Sequence, residues 1–311
     1  MKQVREKEIV LIALGGNALI RKGQLGTVKE QLKNLRIPLR QIARLSEHYR
    51  IIITHGNGPQ VGNLLLQQES CDIVPKAPLE ILIAQTEGQI GYMIESTLDQ
   101  ELMTLGINDK FIVSLITYVQ VKKNDPAFQH PIKPIGPYFS KEEASRFHYP
   151  TIKTPYGYRR IVASPKPIAI IEKREIKAMI ELDFIIICCG GGGIPVIRKE
   201  RTFQGIEAVI DKDLTSALLA EEVGAGHFII ATDVPGVMLD FGMEKQRIIH
   251  SIKVKDVERY IQDNYFAHGS MRPKVEAAAQ FVRHTGKRAV ISSIDALEAA
   301  VGGQSGTIFL N

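Results

Sequence analysis

Three short apolar runs in this chain each stop on glycine, and that pattern leaves few folds open. Ile9 to Leu14 runs into Gly15-Gly16-Asn17, Arg50 to Thr54 into His55-Gly56-Asn57-Gly58, and Phe184 to Cys189 into Gly190, Gly191, Gly192 and Gly193. Runs this short, apolar and rich in β-branched residues read as strands buried on both faces of a parallel sheet. Helical periods lie between them. Leu32, Leu35, Leu39 and Ile42 share a face between Lys29 and Glu47, with Pro38 expected to kink or split that helix. Ile83, Ile90, Met93, Ile94, Leu98 and Leu102 predict a long helix from Pro78 to Gly106, in which Gly88 and Gly91 would allow close backbone approach. Phe111 to Val119 reads as a strand, followed later by a helix near Lys173 to Leu182, a helix from Leu214 to Val223 and a strand from Phe228 to Ala231. A helix beginning near Pro273 and a strand at Ala289 to Ile291 complete the alternation. Strands alternating with helices imply a mostly parallel sheet covered on both faces.

Composition narrows the classes of function. The 311 residues would allow about two domains on length alone. The stretch from Lys122 to Pro167 breaks the alternation and holds eight prolines, so it reads as an inserted subdomain or lid. The 39 Lys and Arg against 34 Asp and Glu give a net charge of +5, scattered along the chain, which suits small anions better than nucleic acid. Three cysteines, Cys71, Cys188 and Cys189, are odd in number and lack CxxC spacing, so a disulfide framework or zinc cluster is not indicated. The eight histidines show no metal-ligand spacing. Lys2, Arg5 and Lys7 before Ile9 to Leu14 imitate a signal peptide, but Gly15-Gly16-Asn17 interrupts the run too soon. With no stretch approaching the ~20 apolar residues of a membrane helix, a cytoplasmic protein in a reducing compartment is expected.

In open parallel sheets, ligands collect at the carboxyl ends of strands, where loops feed helix N-termini. Three glycine-rich ends in one chain therefore point to an anion site. A phosphate-binding GxxxxGK[ST] loop is missing: Gly23-Gln-Leu-Gly26-Thr27 lacks the Gly-Lys-Ser/Thr ending. A GxGxxG dinucleotide fingerprint is one residue out of register at Gly56-Asn-Gly58-Pro-Gln-Val-Gly62, leaving a dinucleotide oxidoreductase as a rival reading. Asn17 and Asn57 place side-chain amides at paired loop tips, suited to a small planar group or to transferring oxygens. Asp211-Lys212-Asp213 puts acid and base at a strand-to-helix junction, with Asp213 the candidate helix cap. Lys274 stands in a first helical turn, where a cation opposes the helix dipole and so suggests an anionic ligand. Lys123 alone reads as a solvated charge.

Taken in order, Ala13-Leu-Gly-Gly-Asn-Ala-Leu19, Thr54 to Gly62, Lys123-Asn-Asp-Pro-Ala-Phe128, Gly190-Gly-Gly-Gly-Ile-Pro195, Ala208-Val-Ile-Asp-Lys-Asp213 and Gly269-Ser-Met-Arg-Pro-Lys274 resemble the carbamate kinases of the amino-acid-kinase superfamily along nearly the whole chain. The resemblance implies an α/β/α sandwich with a central eight-stranded sheet, one domain over residues 1–311, a protruding subdomain near 124–163, and a homodimer. It implies phosphoryl transfer between carbamoyl phosphate and MgADP, as in the breakdown of arginine or other carbamoyl compounds. Lys123, Lys212 and Lys274 would then surround the phosphates, with Asp211 orienting lysine ammonium groups. Gly15, Gly16, Asn17, Gly56, Asn57 and Gly58 would cradle carbamate and the transferring phosphoryl. Gly190, Gly191, Gly192, Thr232, Asp233, Val234 and Met271 would line the nucleotide side, and Mg²⁺ would bridge phosphates with few protein ligands.

Such chemistry matches the residue types. Carbamate is already an anion, so no general base is needed, and positioning with positive charge dominates. Three departures from the family pattern stand out. Glu87 occupies Thr86-Glu87-Gly88, where the family usually has Gln, and a carboxylate there is expected to repel carbamate. Thr154-Pro-Tyr-Gly-Tyr-Arg-Arg160 lacks an arginine and an acid of the usual subdomain motif, and Arg272 fills a position that is commonly Gly or Leu. Glu87 and the altered subdomain motivate an alternative, a catalytically weakened nucleotide or metabolite sensor of the same fold.

Overall fold

In the computed structural model, which describes residues 7–311 apart from 148, 155, 243–244, 264 and 267–270, the apolar runs become strands of one sheet. Lys2 and Arg5, with Gly269 and Ser270 of the last motif, lie outside the described residues. In chain order the strands are β1 (Ile9–Leu14), β2 (Arg50–His55), β3 (Ile112–Ser114), β4 (Ile185–Ile187), β5 (His227–Thr232), β6 (Ser251–Lys253), β7 (Arg288–Ser293) and β8 (Thr307–Leu310). Their order across the sheet is β6-β8-β7-β5-β1-β2-β4-β3. Every neighbouring pair is parallel except β7 with β8. The helices used below are α1 (Val28–Leu45), α2 (Gly58–Glu69), α3 (Leu79–Leu105), α4 (Lys173–Glu181), α5 (Lys212–Val223) and α6 (Met271–Thr285).

Strand side chains alternate between faces, so each apolar run supplies two cores. Val10, Ile12 and Leu14 of β1 join Ile51 and Ile53 of β2 beneath Leu35, Leu39 and Ile42 of α1 and Ile90, Ile94 and Leu98 of α3. Leu11, Ala13 and Ile52 face the other way, onto Ile176 of α4, Ala217 and Leu219 of α5 and Val275, Ala278 and Val282 of α6. This is the expected three-layer sandwich. Fully burying each Leu or Ile contributes roughly 1.5–3 kcal/mol, which is why a run apolar on both faces is confined to the middle layer.

α1 starts at a reciprocal cap between Thr27 and Glu30 and continues as one helix through Pro38, so the proline does not split it in two. Pro38 is itself buried beside Leu35 and Leu39, and packing on both sides offsets the ~3 kcal/mol cost of an interior proline. Of the two glycines in α3, Gly91 lies where a Cβ would come within 2.8 Å of Ser114 Oγ, whereas Gly88 faces open space. The run Phe111 to Val119 is not one strand. It divides into β3 and Tyr118–Val121, which leaves the main sheet for a four-stranded one with Pro167–Ile170, Ile194–Lys199 and Thr202–Gly205. No glycine or proline marks that crossing; Thr117 makes it, its N–H donating to Glu87 Oε2 and its Oγ1 accepting from the Cys189 N–H.

The proline-rich stretch forms a sheet of its own. Lys133–Phe139, Gly157–Val162 and Thr151–Thr154 pair antiparallel, in that order. Phe139, Phe147 and Tyr149 pack ring on ring, with the Arg160 guanidinium 4.6 Å from the Tyr149 centroid. This small sheet meets α2 backbone to backbone: a Cβ on Gly62 would lie 2.9 Å from Gly136 Cα. Among the described residues, no helix is long and apolar enough to cross a membrane.

Candidate active site

Strand register decides which loops meet. Leu14 pairs with His55 on one side and Ala231 on the other, and Ile53 pairs with Ile187. The segments after β1, β2, β4 and β5 therefore open at one end of the sheet, side by side. Gly15 and Gly56 permit this crowding: a Cβ on Gly15 would stand 2.9 Å from Ala231 O, and one on Gly56 would stand 3.3 Å from Gly16 N. The 3₁₀ turn Gly16–Ala18 and helix α2, which begins at Gly58, both start here, and their first N–H groups have no intrahelical partner. Gly191 adopts a positive φ of 66°, and a side chain there would collide with the Asn57 amide. The buried Asn57 amide Nδ2 donates to Thr86 Oγ1 at 2.9 Å. Asn17 is half-buried in the turn after β1.

The cations stand at the same end. Lys212 opens α5, and its Nζ lies 3.1 Å from Leu14 O and 3.0 Å from Asp213 Oδ1. Lys274, in the first turn of α6, donates to Asp213 Oδ2 at 2.8 Å. One carboxylate thus holds two ammonium groups, one from the adjacent residue and one from 61 positions farther along the chain. Burial pushes the Asp213 carboxyl up, but Lys212 and Lys274 outweigh it and hold the group well below the usual carboxylate range. Burial lowers Lys212 from the usual lysine value, with Asp213 opposing the shift. Asp211, not Asp213, is the cap of α5: its Oδ1 accepts from the N–H groups of Asp213 and Leu214 at 3.0 and 3.4 Å. Its Oδ2 accepts from Lys133 Nζ at 2.7 Å, a residue of the small sheet.

Lys212, Lys274 and Asp211 are thus brought together with the glycine loops. Lys123 is not: it is exposed on a turn and makes no hydrogen bond or ion pair with this cluster. Lys133 takes a place at the cluster that the sequence reading did not assign. Its only sequence signal is a cation between Ile132 and Pro134 at the start of a short strand. On the β5 side, Thr232 is buried and donates to Asp233 Oδ1 at 3.1 Å, Asp233 is exposed, Val234 is half-buried, and Met271 begins α6 half-buried against the core. Gly190, Gly191 and Gly192 form a buried 3₁₀ turn after β4. Burial, with a smaller push from Lys212, lowers His55 to about 4, so its ring is neutral near pH 7. Glu87 lies beneath the Gly190 turn, not in the mouth of the site.

Three lysines and two carboxylates leave net positive charge among glycine loops and helix starts, an arrangement suited to holding phosphoryl groups. Among the described residues, no group of three or more His, Cys, Asp or Glu side chains could form a metal cage. Known proteins agree in class. The model for the amino acid kinase family matches residues 8–293. The carbamate kinase of Pyrococcus furiosus is 43% identical over 307 residues, covering 96% of this chain and 98% of that one. The carbamate kinase of Haemophilus influenzae is 46% identical over 303 residues, covering 96% and 95%. The structure of Giardia lamblia carbamate kinase bound to AMP-PNP superposes with a TM-score of 0.91 at 34% identity, covering 98% of each chain. The chain belongs to the amino acid kinase family, and within it to the carbamate kinases. It is an enzyme and a phosphotransferase.

Proposed function

We infer that this enzyme moves a phosphoryl group between carbamoyl phosphate and ADP, making carbamate and ATP, and that it does so by charge and position with no general base. The observation that carries this reading is the Lys212–Asp213–Lys274 triad at the end of β1, beside the turns of Gly15 and Gly56. In transfer to ADP, a terminal oxygen of its β-phosphate attacks phosphorus, the bond to the carbamoyl oxygen breaks, and carbamate leaves carrying the electron pair. Charge spreads over the phosphoryl oxygens during transfer, and ammonium groups already fixed by Asp213 meet it without reorganising. Lys133 supplies a third ammonium from the small sheet, which we read as a lid over the site. Gly16, Asn17 and Gly58 present backbone N–H groups to the carbamate end, and the turn Gly190–Gly192 with Thr232, Asp233, Val234 and Met271 lines the nucleotide end. Mg²⁺ fits as an ion brought in on the nucleotide phosphates, since each oxygen of Asp213 faces a lysine ammonium and Asp211 holds Lys133 and the helix start.

The sensor alternative is not favoured: the relatives are carbamate kinases, and Glu87, one of its two motives, is buried beneath the glycine turn. None of the relatives named above is a dinucleotide oxidoreductase. The carbamoyl phosphate would come from a reaction that cleaves a ureido compound with phosphate, as in arginine breakdown, and a cytoplasmic homodimer accords with that role. Mixing the protein with MgADP and carbamoyl phosphate, beside a parallel sample with acetyl phosphate, tests the reading. ATP formation well above the spontaneous background with carbamoyl phosphate is expected; its absence in protein that binds ADP overturns the assignment.

A further inference from the structure

Glu87 and Asp213 are both carboxylic acids about 4% exposed, yet their surroundings are opposite. Asp213 lies between two ammonium groups, whereas the groups around Glu87 offer no cation. From β2 comes the neutral ring of His55, from the end of β4 the buried thiols of Cys188 and Cys189, and from the segment before α4 the like-charged Glu172. Glu87 Oε2 accepts the Thr117 N–H at 3.1 Å and the Gly190 N–H also turns toward the carboxyl, but no partner meets the buried Oε1 in full hydrogen-bond geometry. Ser114 Oγ is likewise buried and without a partner. Both residues line one cavity of about 70 Å³ behind Gly190, room for about two waters at ~30 Å³ each. The front of the Glu87 side chain touches the glycine turn: a Cβ on Gly190 would fall 2.9 Å from Glu87 Cγ and would also strike the His55 ring. The preceding residue, Thr86, holds Asn57, on which Gly191 rests. Thr86 and Glu87 thus set the backs of two successive glycines.

We propose that Glu87 is a positioning residue that works as an uncharged carboxylic acid, hydrated through the cavity behind it, and fixes the Gly190–Gly192 turn for the nucleotide phosphates. The proposal rests on the nucleotide-side reading of that turn given above. A neutral acid keeps one acceptor for Thr117 and gains an O–H donor for cavity water, so both orphaned oxygens are satisfied. Ionisation would place a charge against the turn with no cation to meet it. Burial pushes the Glu87 carboxyl well above the usual carboxylate range, so the hold is complete below that range and is lost as pH rises through the raised folded-state value.

The test compares wild type with Glu87→Gln and Glu87→Ala, reading ADP affinity by calorimetry and the pH profile of ATP formation. Glu87→Ala is expected to weaken ADP binding about 10-fold, the size of one lost buried hydrogen bond, with a smaller change in kcat. Glu87→Gln is expected to rescue that loss and to hold its rate farther into alkaline solution than wild type; Lys212 titrates in both, so the difference between the profiles reports Glu87. Superimposable wild-type and Glu87→Gln profiles, or an amide as damaging as alanine, overturn the proposal. Infrared difference spectra of wild type minus Glu87→Gln at neutral pH should show a protonated carboxyl C=O band, and an ionised carboxylate band in its place also overturns it. That reading needs neither turnover nor nucleotide, so it decides the state of Glu87 even if carbamoyl phosphate proves not to be the substrate.

Discussion

Two carboxylates two positions apart divide the work at the start of α5, and the division follows from helix geometry. Asp211, with extended backbone, turns its side chain back onto the first N–H groups, while Asp213 lies inside the helix and projects toward β1 and α6. Replacing Lys212 or Lys274 by alanine is expected to lower kcat/KM by more than ~10²-fold, in keeping with loss of a preorganised charge. Asp213→Asn should do as much and also destabilise the protein by about 3–5 kcal/mol, because it strands two buried ammonium groups. Enzyme assays with urea unfolding check both, and near-wild-type rates in the lysine variants would remove the charge-clamp role. The folded carboxyl of Asp213 titrates below its ordinary 3.8, so its contribution is full above that value and declines as pH falls further. The motif around Lys212 and Lys274 was legible in the chain; the exchange of roles between Asp211 and Asp213 was not, since spacing alone says nothing of which carboxylate points outward. Lys133 was missed because its partner is 78 positions away, on an element whose prolines erase any periodic signal.

At the scale of elements, the site depends on glycines that let backbones touch. Gly191→Ala would force a side chain into the Asn57 amide at a φ of +66°, a conformation costing about 1–3 kcal/mol outside glycine. ADP affinity measured by calorimetry should fall by at least ~10-fold, with the sheet intact by circular dichroism. Gly62→Ala acts elsewhere, since its methyl would meet the backbone of Gly136 and lever the small sheet away from α2. Faster amide exchange across Lys133–Val162 is expected, with a fall in kcat/KM and little change in the exchange of β1 and β2. Unchanged exchange in the small sheet would mean that the contact does not set its position. The strands and most helices were readable because their apolar periods reflect burial on two faces or one. The division of Phe111 to Val119 was hidden, because the chain changes sheets on a side-chain contact from Glu87 and not on a turn residue.

For the whole molecule, the sheet ends in a three-residue strand at each edge, β6 at one and β3 at the other. β3 is only three residues long and half-buried, and the surface beside it is apolar: Phe111 and Leu182 are 64% and 69% exposed, Tyr92 and Met103 on α3 71% and 66%. Tyr92 follows Gly91, which packs on Ser114 of β3, so helix and edge form one continuous face. A monomer in water gains by covering such a face, and a second copy offers the same apolar surface in a two-fold pairing. A stable pairing of this kind buries about 800 Å² on each partner, within reach of a 27-residue helix and a sheet edge. Sedimentation should therefore give twice the 34.6 kDa of one chain. Tyr92→Asp with Leu182→Asp should give monomers, because each desolvated carboxylate would meet its own copy across the axis. The triad of Lys212, Asp213 and Lys274 lies at the carboxyl ends of β1 and β5, in the middle of the sheet, so the monomeric variant should still bind ADP if the edge serves only assembly. A variant that stays dimeric places the interface elsewhere, and one that turns monomeric and loses ADP ties the glycine turn after β4, the strand paired with β3, to the partner's support.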